Sequence, residues 1–86
     1  MGEQYIAMRI GQHYLAVQTC DTGYDYTIYD SAYRLLDGGQ IDAPYIILID
    51  KICSEIIAAH TLADTIPEIV DYEELMDRVR RAEYGN

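Results

Sequence analysis

From Tyr5 to Tyr29 the chain alternates in three short runs separated by turn residues, and this pattern leaves little choice of fold. Tyr5 to Ile10 puts Ile6, Met8 and Ile10 on one face and Tyr5, Ala7 and Arg9 on the other. His13 to Cys20 sets Leu15 and Val17 against Tyr14, Ala16 and Gln18. Tyr24 to Tyr29 sets Tyr24, Tyr26 and Ile28 against Asp25, Thr27 and Tyr29. A period of two marks strands, whose successive side chains point to opposite faces. Gly11-Gln12 and Asp21-Thr22-Gly23 carry turn chemistry: glycine permits unusual φ, and aspartate bonds to nearby backbone. Asp30-Ser31-Ala32 turns the chain into a fourth run, Tyr33 to Leu36, which Asp37-Gly38-Gly39 is expected to end. Runs joined by tight turns predict an antiparallel meander.

The second half changes period. Asp42-Ala43-Pro44 is a start signal, but the run Tyr45 to Ile49 is β-branched and reads as strand or as helix. Its beginning is read as extended and the helix as established by about Leu48. From there Ile49, Ile52, Cys53, Ile56 and Ala59 share one face at helical spacing, widened by Ile57, and His60-Thr61 mark the end. Leu62 to Val70 is a connector interrupted by Pro67, in which Glu68-Ile69-Val70 can form a short edge strand. Asp71-Tyr72-Glu73-Glu74 has the form of a capping box opening a second helix with a narrow stripe of Leu75, Met76, Val79 and Ala82. Acids in its first turn and Arg78, Arg80 and Arg81 near its end both suit the helix dipole. The prediction is one α+β domain over residues 1–86: an antiparallel meander of three to five strands followed by two helices packed on one face.

Charge narrows the partners. Fifteen acids against six bases give the 86-residue chain a net charge of −9. Phosphate contacts need clustered Lys and Arg, so direct binding to nucleic acid or to an anionic membrane is disfavoured. Two readings remain: a basic protein surface as partner, or charge that serves solubility alone. The apolar run Tyr45 to Ile49 is too short to span a bilayer. There is no basic n-region and no apolar stretch before Gly11, so a cytoplasmic location with Cys20 and Cys53 as free thiols is expected.

Catalytic chemistry finds no footing. His13, Cys20, Cys53 and His60 supply zinc-type donors, yet they are scattered and lack the close pairs of dedicated sites. Ser31 sits in a turn and Ser54 in a helix, neither in a nucleophile motif. No phosphate-binding glycine motif exists, so no cofactor and no catalytic or metal set is expected. What remains is acidic. Asp64, Glu68, Asp71, Glu73, Glu74 and Asp77 follow one another without a base, although capping explains three of them. Between Asp21 and Asp42 five aspartates interleave with tyrosines, and Arg34 is the only base. Carboxylates on a rigid scaffold can imitate the phosphates of a nucleic acid, and tyrosine adds contact area at low entropy cost. The candidate contact residues are Tyr24, Asp25, Tyr26, Tyr29, Asp30, Asp37 and Asp42. The competing view places Tyr24 and Tyr26 on the core face of a strand.

The run from Val17 to Thr27, then Tyr29-Asp30, Asp37-Gly38-Gly39, Ile41-Asp42, Pro44, Glu55-Ile56 and Asp71 to Leu75, resembles small domains encoded on conjugative elements of gut Firmicutes. There, similar segments accompany large polyvalent proteins. The resemblance covers about Tyr14 to Val79 and brings no catalytic residues with it. Tyr45 to Ile49 departs from it in being more apolar than the charged helix start of such domains, as a dimer contact would be. The resemblance implies a mobile-element setting, in which small acidic proteins serve as anti-CRISPR or anti-restriction inhibitors. The expectation is a non-enzymatic module that occupies a basic surface of a host or element protein such as a nuclease. The alternatives are a homodimeric accessory domain of conjugation machinery and a small metal-dependent enzyme.

Overall fold

In a computed structural model, residues 4–42, 49–60 and 66–84 are described; all structural statements concern these. Strands β1 (Tyr5–Ile10), β2 (His13–Cys20), β3 (Gly23–Tyr29) and β4 (Leu35–Asp42) are followed by helix α1 (Ile49–Ala59), strand β5 (Glu68–Val70) and helix α2 (Tyr72–Tyr84). The sheet has five strands in the order β4-β3-β2-β1-β5, with each neighbouring pair antiparallel. The chain is therefore α+β, a meander extended at its far edge by β5 and followed by two helices. The start signal Asp42-Ala43-Pro44 and the run Tyr45 to Ile49 fall largely on residues 43–48, and Asp64 on residues 61–65, outside the described part.

Local chemistry accounts for the elements. Gly11 adopts φ 62° in the two-residue turn between β1 and β2, where a side chain would be strained. Asp71 caps α2 as expected: its Oδ1 accepts from the Glu74 amide at 2.9 Å. The reciprocal half of the box takes another direction, because the Glu74 carboxylate pairs with Arg78 at 3.0 Å.

Strand β4 departs from the sequence reading. Asp37-Gly38-Gly39 does not end it; the strand runs through both glycines to Asp42. Gly38 lies opposite Thr27 and Gly39 opposite Tyr26. A Cβ on Gly39 would stand 3.0 to 3.2 Å from the Tyr26 hydroxyl and ring, so the glycine makes room for an aromatic laid across the strand. Here glycine answers a packing demand, which turn propensity does not register. The strand starts two residues later than expected, at Leu35, because Tyr33 at φ 65° belongs to the preceding turn.

The two helices do not share a face. Met8, Ile10, Leu15, Val17, Tyr24 and Ile28 pack with Ile52, Cys53 and Ile56 of α1. Ala7, Ala16 and Tyr29, which alternate with those strand residues, pack with Leu75 of α2. The sheet is thus covered on both sides, and the single helical layer expected from sequence is corrected to one helix per face. The reason is the second face of the meander. Ala7 and Ala16 look neutral in sequence, but their small side chains leave room for α2 above the sheet. Each Ile or Leu buried adds roughly 1.5–3 kcal/mol gross. The α1 face, with six fully or nearly buried aliphatic side chains besides its sulfur residues and Tyr24, therefore carries most of the core. Ala59 and Ala82, expected within the stripes, are exposed at the helix ends.

Candidate functional site

The tyrosines and aspartates singled out from sequence lie on one hairpin but not on one surface. Alternation along β3 sends Tyr24 and Tyr26 toward α1, and Asp25 and Tyr29 toward α2. Tyr24 is 4% exposed and Tyr29 7%, so both are core side chains, not contact residues. Asp25 is half-buried on the α2 side.

Asp30 works within the fold. Its Oδ1 accepts from the Ala32 amide at 2.8 Å and the Arg34 amide at 3.0 Å, and its Oδ2 stands 3.4 Å from Arg34 Nε. These bonds close the β3–β4 turn. The backbone donors, led by the Arg34 amide, hold the Asp30 carboxyl below the usual aspartate range.

Tyr26, Asp37 and His60 are brought together. Asp37 lies opposite Ile28 on the α1 side of β4, and His60 follows the last turn of α1. His60 Nδ1 is 3.3 Å from Asp37 Oδ2, and His60 Nε2 is 3.1 Å from the Tyr26 hydroxyl. The carboxylate can only accept, so Nδ1–H donates to it, and Nε2 shares the second hydrogen bond with the phenol. The rings meet edge-on, with centroids 5.5 Å apart. This chain of bonds fastens the edge strand to the end of α1. Nothing in the spacing of Tyr26, Asp37 and His60 announces it, since the three meet only when α1 crosses the sheet.

Asp42 closes the far end of β4, where Thr22 Oγ1 donates to its Oδ1 at 3.4 Å. Gln40 donates from its side-chain amide to Thr22 Oγ1 and, at 3.5 Å, to Cys20 Sγ. Asp37 and Asp42 are exposed, as is nearly all of β4.

On the α2 side an open cleft of about 300 Å³ is lined by Arg9, Tyr14, Tyr33 and Arg78 together with Glu68, Asp71 and Glu74. Tyr14 and Tyr33 stack at 5.1 Å, and the Arg78 guanidinium lies 5.9 Å from the Tyr33 ring centre. A hydrogen bond from Tyr14 lowers the Tyr33 hydroxyl pKa, and the same bond raises that of Tyr14. Both signs of charge line this cleft, with Arg78 bonded to Glu74, so it favours neither anions nor cations.

Among the described residues, no group of three or more His, Cys, Asp or Glu side chains could hold a metal ion. Cys53 is sealed under α1, where burial pushes its thiol up to about 11. No described helix is long and apolar enough to cross a membrane.

No curated protein and no solved structure matches the chain significantly. A family model described as large polyvalent protein-associated domain 16 matches residues 2–82, nearly the whole length. The chain belongs to the large polyvalent protein-associated domain 16 family.

Proposed function

We propose that the domain is a non-enzymatic protein-binding module of mobile-element origin, docking through the acidic margin of β3 and β4 on a basic protein surface. The observation that carries this is the placement of charge. Asp25, Asp37 and Asp42 lie on or beside an exposed strand; the only base of the hairpin, Arg34, is already paired with Asp30, and Asp37 stays exposed beside its bond to His60. In its specific form the proposal names a nucleic-acid-handling defence protein as target, with the carboxylates standing where phosphates would lie. Tyr24, Tyr29 and Asp30 drop out of the contact set, two by burial and one by its turn.

Association of this kind weakens steeply with salt, because exposed charges are screened within about 10 Å at 0.1 M ionic strength. An affinity pull-down from host lysate at low and high salt tests it. The expected result is a basic protein released by salt, by competing DNA or guide RNA, and by the triple change Asp25→Lys, Asp37→Lys, Asp42→Lys. Binding indifferent to all three treatments sinks the proposal. The family's association with large polyvalent proteins favours a second reading, in which the basic partner is a segment of such a protein. Recovery of transfer proteins instead of nucleases selects it.

A further inference from the structure

We propose that β4 is a strand-addition edge, taking an extended, lysine- or arginine-bearing segment of the partner as a sixth strand of the sheet. This rests on the acidic-module reading and adds how the contact is made.

Natural edge strands are kept from pairing by being short or by carrying lysine, proline or a bulge. Strand β4 is eight residues long, contains neither lysine nor proline, carries Asp37 and Asp42 as its charges, and among the described strands forms one end of the sheet. Its irregularity lies at its beginning: Ile28 faces Asp37 while Tyr29 faces Leu35, which leaves Leu36 as the extra residue of a bulge. From Asp37 to Asp42 the register is regular.

The direction of each backbone group follows from alternation. The Thr19 amide donates to the Gln4 carbonyl, which makes Thr19 a residue bonded toward β1. In antiparallel ladders bonded and non-bonded pairs alternate. Tyr14, Ala16 and Gln18 therefore bond toward β3, and Tyr24, Tyr26 and Ile28 bond toward β4. Asp37, Gly39 and Ile41 answer them. The N–H and C=O groups of Gly38, Gln40 and Asp42 consequently point away from the sheet. The Gly38 amide bears this out, since it donates to the carboxylate of Asp37, 2.8 Å away, and not to β3.

Charge selects the occupant. An added strand would run beside Asp37 on the α1 face and Asp42 on the α2 face, five positions and about 17 Å apart. Asp25 stands one strand further in, opposite Gln40. An extended segment with basic side chains at intervals meets these carboxylates on both faces. A second copy of the chain would bring a like set of acids on a molecule of net charge −9.

Two peptides of equal charge test this: eight residues with lysine at positions 1, 3, 6 and 8 and valine elsewhere, which carry lysine on both faces, and the same with proline for valine, which lacks ladder donors along both edges. The lysine–valine peptide is expected to bind about tenfold more tightly, since main-chain bonds carry affinity in strand addition. It should protect the Gln40 and Asp42 amides from hydrogen exchange. Gln40→Pro should abolish the preference, and Gln40→Val, which keeps the amide, should retain it. Equal binding of the two peptides, or a preference untouched by Gln40→Pro, overturns strand addition. If that binding still falls with Asp25→Lys, Asp37→Lys, Asp42→Lys, the acidic-module reading survives alone; if it does not, both fail. Protection of the same amides in a peptide-free dimer overturns the choice of occupant.

Discussion

Single residues in this domain do structural work that their type does not advertise. Asp30 is the clearest case: an aspartate in an acidic run that is held by two backbone donors and an arginine. Its lowered pKa gives a pH dependence with a definite sign. A carboxylate whose folded pKa lies below its unfolded value adds stability above the unfolded value, and that stability is lost as pH falls through the folded one. The melting temperature should therefore drop on acidification below about pH 4, the unfolded aspartate range. Asp30→Asn, which keeps the Oδ1 acceptor, should flatten part of that drop. Identical acid profiles for the two proteins would show that Asp30 is not a source of it.

At the scale of the element, β4 depends on the contact between a glycine and an aromatic ring. Tyr26 crosses Gly39 and ends in a hydrogen bond to His60, so the ring has little freedom to move aside. Gly39→Ala should cost about 1–3 kcal/mol by overpacking, read from urea denaturation. In a Tyr26→Leu background the same change should cost much less, because the crowded ring is gone. Equal costs in both backgrounds would mean that Gly39 answers to something other than Tyr26. The edge strand is thus held at its middle by packing and at its side by the Asp37–His60 pair. That leaves its outer backbone groups fixed in direction.

For the molecule as a whole, one helix covers each face of the sheet, and the two faces are unequal. The α1 side holds most of the large aliphatic side chains, with Cys53 at 1% exposure among them. Burial also raises that thiol to about 11, so it is neither accessible nor ionised near neutral pH. In native protein at pH 8 a thiol reagent should modify Cys20, which is half-buried on β2, and spare Cys53. Cys53 should react only as urea unfolds the chain, in step with loss of circular dichroism. Rapid native modification of Cys53 would show that α1 leaves the sheet at little cost.

Much of this was legible in the chain itself. The strand residues of β1, β2 and β5, the N-cap at Asp71 and the α+β order follow from periodicity and capping, which act between residues a few positions apart. Those forces are local, and sequence states them directly. The side of the sheet taken by α2, the passage of β4 through Gly38-Gly39 and the meeting of Tyr26, Asp37 and His60 were decided by tertiary structure alone. Each depends on what fills the space opposite a residue: small alanines admitting a helix, a missing Cβ admitting a ring, a helix end reaching an edge strand. Burial likewise removed Tyr24 and Tyr29 from the acidic surface, because alternation shows which residues share a face, whereas packing settles which faces are covered.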